Sequence, residues 1–238
     1  MIKQTLLTSG NAKITKGEAF GYITKGIHLA PANLSGYEVC RWRSKGCTMA
    51  CLNTAGRGQM NSVQQSRIAK TKLFFEQKMD FFTKLSKEIA STIKSSIKKE
   101  MQAVFRLNLT SDIPWESEFN EEGQSIFEKH SSTQFYDYTK SFKRMKAFLN
   151  GELPSNYHLT FSCSESNEKI AKLVLEMRGN VAVVFRNQLP STWNGVEVVN
   201  GDESDLRFLD KQGVVVGLIE KGMAKKDSTG FVKEGVNS

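Results

Sequence analysis

Several features are scarce in this 238-residue sequence, and each scarcity removes a class of protein. No run approaches the eighteen or so apolar residues that a membrane-crossing helix needs. The opening Met1-Ile2-Lys3-Gln4-Thr5-Leu6-Leu7 lacks the apolar core and small-residue cleavage site of a secretory leader, so a cytoplasmic protein is expected. Prolines number four, and no repeat, low-complexity tract or Pro/Ser/Gly linker interrupts the chain. One domain over 26–220 is therefore expected, with an N-terminal arm or short hairpin at 1–25 and a C-terminal tail at 221–238. Histidines number three, and His28, His130 and His158 are scattered, which suits structural roles. The lack of both a Ser-His-Asp order and a G-x-S-x-G motif points away from acyl-transfer hydrolysis. The absence of a G-x4-G-K-[ST] loop likewise removes the P-loop NTPases.

Cysteines are also few, but three of the four fall within twelve residues, in the spacing C-x6-C-x3-C at Cys40, Cys47 and Cys51. In a reducing compartment such a cluster is more readily a metal site than a set of disulfides. Basic residues outnumber acidic ones, 33 to 25, for a formal charge of +8. That balance favours an anionic partner such as nucleic acid or a nucleotide. Much of the excess lies between Lys70 and Lys99, where the rival account is a solvated helix face.

Along the chain, Ile27 to Pro31 reads as a first strand, and the cysteine loop follows it. From Ser62 to Glu100 apolar residues recur at three- and four-residue intervals, which predicts two helices broken near Met79 or Asp80. Strand patterns then recur at Gln102–Asn108, Gln134–Tyr138, Tyr157–Ser162, Asn180–Phe185, Val196–Val199 and Gly213–Ile219, with helices between several of them. A weak helix to about His130 and a well-patterned one from Asn167 to Met177 are among these. Apolar strands separated by helices predict an α/β fold with a parallel sheet. The expected architecture is a full or partial (β/α) barrel with a three-cysteine loop after the first strand; a doubly wound open sheet is the alternative.

Polar clusters fall just after the strands, where such folds carry their sites. Asn108, Thr110, Ser111 and Asp112 are suited to ribose hydroxyls or a base edge, or to capping the next helix. Asp137, Lys140, Ser162, Ser164 and Glu165 fall at equivalent strand ends. Arg186 and Asn187 suit an anionic group. Asn53, Gly56 and Arg57 lie where a backbone can approach a phosphate or cofactor, or where a tight turn precedes a helix. Gly201 to Arg207 carries enough carboxylate for magnesium, but reads better as a turn into a short helix. Three thiolates on one loop suit an iron-sulfur cluster, with thiols that hold no metal or a zinc site as the alternatives, because zinc usually takes four ligands in closer pairs.

The segments VCRWRSKGCTMACLNTAGRG, RLNLTSDIPWE, FYDYTK, YHLTFSCSE, NVAVVF and GDESDLRFLDKQGVVVGL resemble the gene product 88 family of bacteriophage proteins. That likeness places the protein in an infected or lysogenic bacterial host. More distantly, three cysteines after a first barrel strand are similar to the radical S-adenosylmethionine superfamily, whose usual spacing is C-x3-C-x2-C. This second resemblance implies a four-iron, four-sulfur (4Fe-4S) cluster on Cys40, Cys47 and Cys51, with S-adenosylmethionine on the open iron. It also implies radical chemistry, for which the basic charge suggests a nucleotide or nucleic-acid substrate. The alternative is a nucleic-acid-binding protein whose loop is stapled by a metal or cluster, without catalysis.

Overall fold

The computed structural model describes residues 4–9 and 15–235. Its centre is a ten-stranded sheet whose middle is parallel and whose two edges are antiparallel. The strands are β1 (Leu7–Thr8), β2 (Tyr22–Ile27), β3 (Gln102–Arg106), β4 (Gln134–Thr139), β5 (Tyr157–Ser162), β6 (Val181–Arg186), β7 (Thr192–Trp193), β8 (Val196–Asn200), β9 (Val215–Ile219) and β10 (Val232–Glu234). They lie in the order β1-β2-β3-β4-β5-β6-β9-β8-β7, with β10 also paired to β6.

From β2 to β6 each strand lies beside its predecessor and parallel to it. Right-handed crossovers that step in one direction carry their helices to one face, as in a barrel. This sheet nevertheless stays open, which corrects the expectation of a full barrel. The outer edge of β2 is occupied by antiparallel β1, and that of β8 by antiparallel β7. The outermost parallel strands therefore have no free edges with which to meet.

The helices are α1 (Lys45–Met49), α2 (Asn61–Glu76), α3 (Lys78–Ile97), α4 (Ile126–Lys129), α5 (Phe142–Leu149) and α6 (Glu168–Glu176). The long helical stretch breaks at Gln77, whose φ of −139° and ψ of 57° leave the helical region. On α3 the buried residues Phe81, Phe82, Leu85 and Ile89 form a stripe against the sheet. Only α4 forms in the weak helical stretch before His130. Ser125 and Glu128 close a capping box at its start, giving the first turn its hydrogen bonds.

The main core lies between sheet and helices and includes Phe105, Phe135, Leu159, Phe161, Val183 and Phe185 from the strands and Phe74, Phe127, Met145 and Val174 from the helices. Strands β3 to β5 alternate, contrary to the reading of unbroken apolar runs. Phe105, Phe135, Tyr157, Leu159 and Phe161 face the helices, while Val104, Arg106, Tyr136, Tyr138, His158 and Thr160 take the opposite face. A smaller cluster of Val104, Tyr136 and Leu206, packed by Tyr22 and Phe208, partly covers that second face.

Both terminal segments contribute strands to the sheet. The first parallel strand is Tyr22–Ile27 rather than Ile27–Pro31, and β1 pairs with it across the supposed arm. Its six residues hold Thr24, Lys25 and Gly26, which mask it as a strand in an apolar count. The supposed tail supplies β10, parallel to the upper half of β6. Residues 1–3, 10–14 and 236–238 of those segments lie outside the described residues. Strand β5 pairs with β6 only at Phe161–Val181 and Ser162–Ala182, and β10 takes up the ladder from Val184 to Arg186. The sheet thus opens between the carboxyl ends of β5 and β6, and β10 fills the gap.

Candidate functional site

The cysteine loop sits at the carboxyl ends of the strands, held from several sides. The Cys40 thiol donates to the Thr110 carbonyl at 3.8 Å, and the Asp112 amide donates to the Val39 carbonyl at 2.8 Å, so the loop is fastened to the end of β3. Ser44 caps α1 by accepting from the Cys47 amide at 3.1 Å. Glu165, just beyond β5, accepts from the Gly46 amide at 2.7 Å and from the Ser44 hydroxyl at 2.8 Å. Gly46 is required there: a Cβ would stand 2.2 Å from Thr229 Oγ1 and 2.7 Å from both Glu165 Oε2 and Phe231 Cβ.

All four cysteines are free thiols. Burial, followed by the neighbouring Cys51 and Cys47, pushes the Cys40 thiol up to about 12. Cys51 is raised by burial and by Cys47, against the opposing pull of Arg67 and Lys140. Cys40, Cys47 and Cys51 thus stand within electrostatic reach of one another beside two cations. Yet among the described residues no three His, Cys, Asp or Glu side chains are grouped to hold a metal ion. Cys163 lies in the apolar core, 3% exposed, with burial raising it to about 11.

The polar residues after β3 and β4 join a buried network on the helix side of the sheet. Asp137 accepts from the Asn108 amide at 2.7 Å and from the Tyr157 hydroxyl at 3.1 Å. Asn108 Oδ1 accepts from Ser111, the Ile113 amide and the Trp115 indole at 2.7, 2.9 and 3.2 Å. Arg144 on α5 donates to Asp112 at 2.5 Å, to Glu116 at 2.6 and 2.9 Å, and to Tyr157 at 3.0 Å. Thr110 donates to the Leu29 carbonyl at 2.6 Å. Burial raises Asp137 to about 7, against the backbone and charged partners that favour its ionised form. The hydrogen bonds of Asn108, Thr110, Ser111 and Asp112 are spent within the fold.

Asn53 is buried and bonded to Gln64 and Arg67, so it ties the cysteine loop to α2. Gly56, at a φ of +52°, and Arg57 lie on the exposed turn beyond it. Ser162 accepts from Lys140 Nζ at 2.6 Å, and that ammonium lies 5.7 Å from the Phe231 ring centroid. Ser164 pairs with Ser166, and Asn167 caps the Ser164 amide. Arg186 is remote from Glu165 in role: it pairs with Glu234 at 3.0 Å and the Asp227 carbonyl at 2.9 Å, which holds β10. Asn187, at a φ of +59°, donates its amide to Glu220. In the Gly201–Arg207 turn, Asp202 pairs with Lys221 at 2.6 Å and Asp205 with Arg106 at 3.0 Å, so cations within the fold meet these carboxylates, and a short 3-10 helix follows at Arg207–Leu209.

Sequence reading missed Arg106, Tyr138, Arg144 and Arg207. The first two were detectable, because Val104/Arg106 and Tyr136/Tyr138 keep the period of two that separates the faces of a sheet. Arg144 was not, since Lys143-Arg144-Met145-Lys146 looks like the solvated side of a helix.

Fold and loop together define an α/β protein with an open, mainly parallel sheet and a thiol-bearing loop beyond its first parallel strand. The gene product 88 family model matches residues 5–235, and the chain belongs to that family. No match was found among curated proteins or among solved structures. No helix among the described residues is long and apolar enough to cross a membrane.

Proposed function

We propose that this protein is an iron-sulfur enzyme of the radical S-adenosylmethionine type, acting on a nucleotide or nucleic acid. The observation that carries the reading is the placement of Cys40, Cys47 and Cys51, as free thiols in mutual electrostatic reach, on the loop after the first parallel strand. A structural zinc site usually takes four protein ligands in closer pairs, and this loop supplies three thiols. A cluster spreads its ligands over several iron atoms, so it suits such a set better. When bound, a 4Fe-4S cluster supplies the electron that cleaves the sulfonium of S-adenosylmethionine in that superfamily. The chain's own residues would orient the loop through Glu165 and Ser44, and place the positive charges of Arg67 and Lys140 beside the thiols.

The test is anaerobic reconstitution with iron and sulfide, followed by incubation with reductant and S-adenosylmethionine. The protein should turn brown, absorb near about 400 nm as thiolate-bound clusters do, and yield 5'-deoxyadenosine; Cys47→Ala should lose the colour. A colourless product would sink the cluster, and a brown but inactive one would sink the cofactor.

A second reading is favoured by the exposed lysines Lys87 and Lys94 on α3 and Lys98 at its C-cap. They would hold nucleic acid without catalysis. Affinity for duplex DNA should then fall steeply between low and moderate salt, and should drop in a triple Lys→Glu variant. Affinity indifferent to salt would count against it.

A further inference from the structure

The face of the sheet turned away from the helices carries a concentration of buried polar atoms that the proposed function does not use. In the parallel register Gly26 lies beside Arg106, Tyr136 beside His158, and Tyr138 beside Thr160. Arg106, Tyr138, His158 and Thr160 therefore occupy neighbouring positions on three adjacent strands and share one face. The guanidinium of Arg106 lies 4.4 Å from the Tyr138 ring centroid. The turn that crosses this face brings Asp205, which accepts from Arg106 at 3.0 Å and from the Tyr136 hydroxyl at 3.3 Å, and two residues later Arg207. Arg207 is close enough to His158 for its charge to depress that imidazole.

Fold-internal partners use only part of this polar set: Arg207 pairs with Asp210 at 3.2 Å and donates to the Ser204 carbonyl at 2.6 Å. Arg106 Nε, Arg207 Nε, the Tyr138 hydroxyl, the Thr160 hydroxyl and His158 Nε2 are each shielded and have no hydrogen-bond partner in the protein. Thr160 is 0% and Arg207 2% exposed, so neither can be satisfied at the surface. A buried polar group left unsatisfied costs about 1–3 kcal/mol, and such a concentration on one face calls for an explanation. The two guanidinium nitrogens can only donate, the two hydroxyls can donate, and neutral His158 can do so in one tautomer. The complementary ligand is therefore rich in acceptors, and an anionic one would take the places on Arg106 and Arg207 that Asp205 and Asp210 hold in the closed form.

We propose that this face, beneath the 205–209 turn, is a binding site for a phosphate group, approached by Arg106, Arg207, Tyr138 and Thr160. Because the atoms are shielded, phosphate reaches them when the turn lifts, and the unsatisfied donors make the closed, unliganded arrangement easier to open. The site does not depend on what the cysteines hold, so it is tested on cluster-free protein.

Thermal unfolding at constant ionic strength, with inorganic phosphate in one arm and ribose 5-phosphate in the other, reads it directly. The transition temperature should rise with ligand concentration in at least one arm. Response to both would assign a site for phosphate itself, and response to ribose 5-phosphate alone would assign a phosphate monoester. Tyr138→Phe and Thr160→Val remove one hydroxyl each with little change of shape, and each should weaken binding about tenfold, the equivalent of one hydrogen bond. Arg207→Gln should abolish the response, and the two near-isosteric variants keep the test decisive if that variant does not fold. A transition unmoved by either ligand, or a shift of equal size in Tyr138→Phe and Thr160→Val, would overturn the proposal. In that case Thr160→Val should simply stabilise the protein.

Discussion

Arg144 shows how far a side chain's surroundings can depart from its apparent character. Set among lysines on a short helix, it reaches inward and satisfies Asp112, Glu116, Thr139 and Tyr157 at once. Removing one member of a buried ionic group strands the rest, so Arg144→Ala should destabilise the fold by about 3–5 kcal/mol in urea unfolding. Arg144→Lys should recover little, because an ammonium cannot span the same set. His158 provides a second test. Burial, then Arg207, lowers it to about 4 from an ordinary value of 6.5. The unfolded chain binds the proton more readily, so stability from this group is complete above pH 6.5 and is lost as pH falls toward 4. Replacing His158 with Gln should flatten the acid limb of the stability profile by a loss on the order of 2 kcal/mol.

Among the elements, the central strands were the most legible. Tyr157–Ser162 was read to the residue, and Asn180–Phe185 and Val196–Val199 to within one, because alternation in the first and apolar, β-branched runs in the other two leave few other conformations. The short strands at the ends were not legible. β10 is Val232-Lys233-Glu234, with two charges in three residues, and its strand character comes from the gap between β5 and β6. The same holds for the support of the cysteine loop: the spacing of the thiols is plain in the chain, whereas the grip of Glu165 on Gly46 is a contact across 119 positions. Gly46→Ala should therefore displace α1 from Thr229 and Phe231 and destabilise the protein by about 1–3 kcal/mol. Hydrogen exchange should show faster amide exchange in both α1 and β10, whereas a purely local effect would leave β10 unchanged.

For the molecule as a whole, strand order was the least accessible quantity. Apolar runs and helix patterns indicate a parallel sheet, but closure depends on which strands hold the edges. The antiparallel pairs β1–β2 and β7–β8 that settle this are two residues deep. One sheet gathers strands from Leu7 to Glu234, and one principal core lies beneath it. Heat or urea should accordingly unfold the chain in one step. Tryptophan emission, with Trp115 buried in the core, and far-ultraviolet circular dichroism should trace the same curve, and separate midpoints would reveal independently folding parts.

The segment that leads into β10 has a further consequence during synthesis. The thiols emerge from the ribosome early, while Glu165 and then the segment that closes over Gly46 arrive much later. Until then α1 lacks its seat, although the segment after β3 and helix α2 already hold the two ends of the loop. Maturation of the loop is therefore timed by synthesis of the segment at Thr229 and Phe231, just ahead of β10, which serves as the latch.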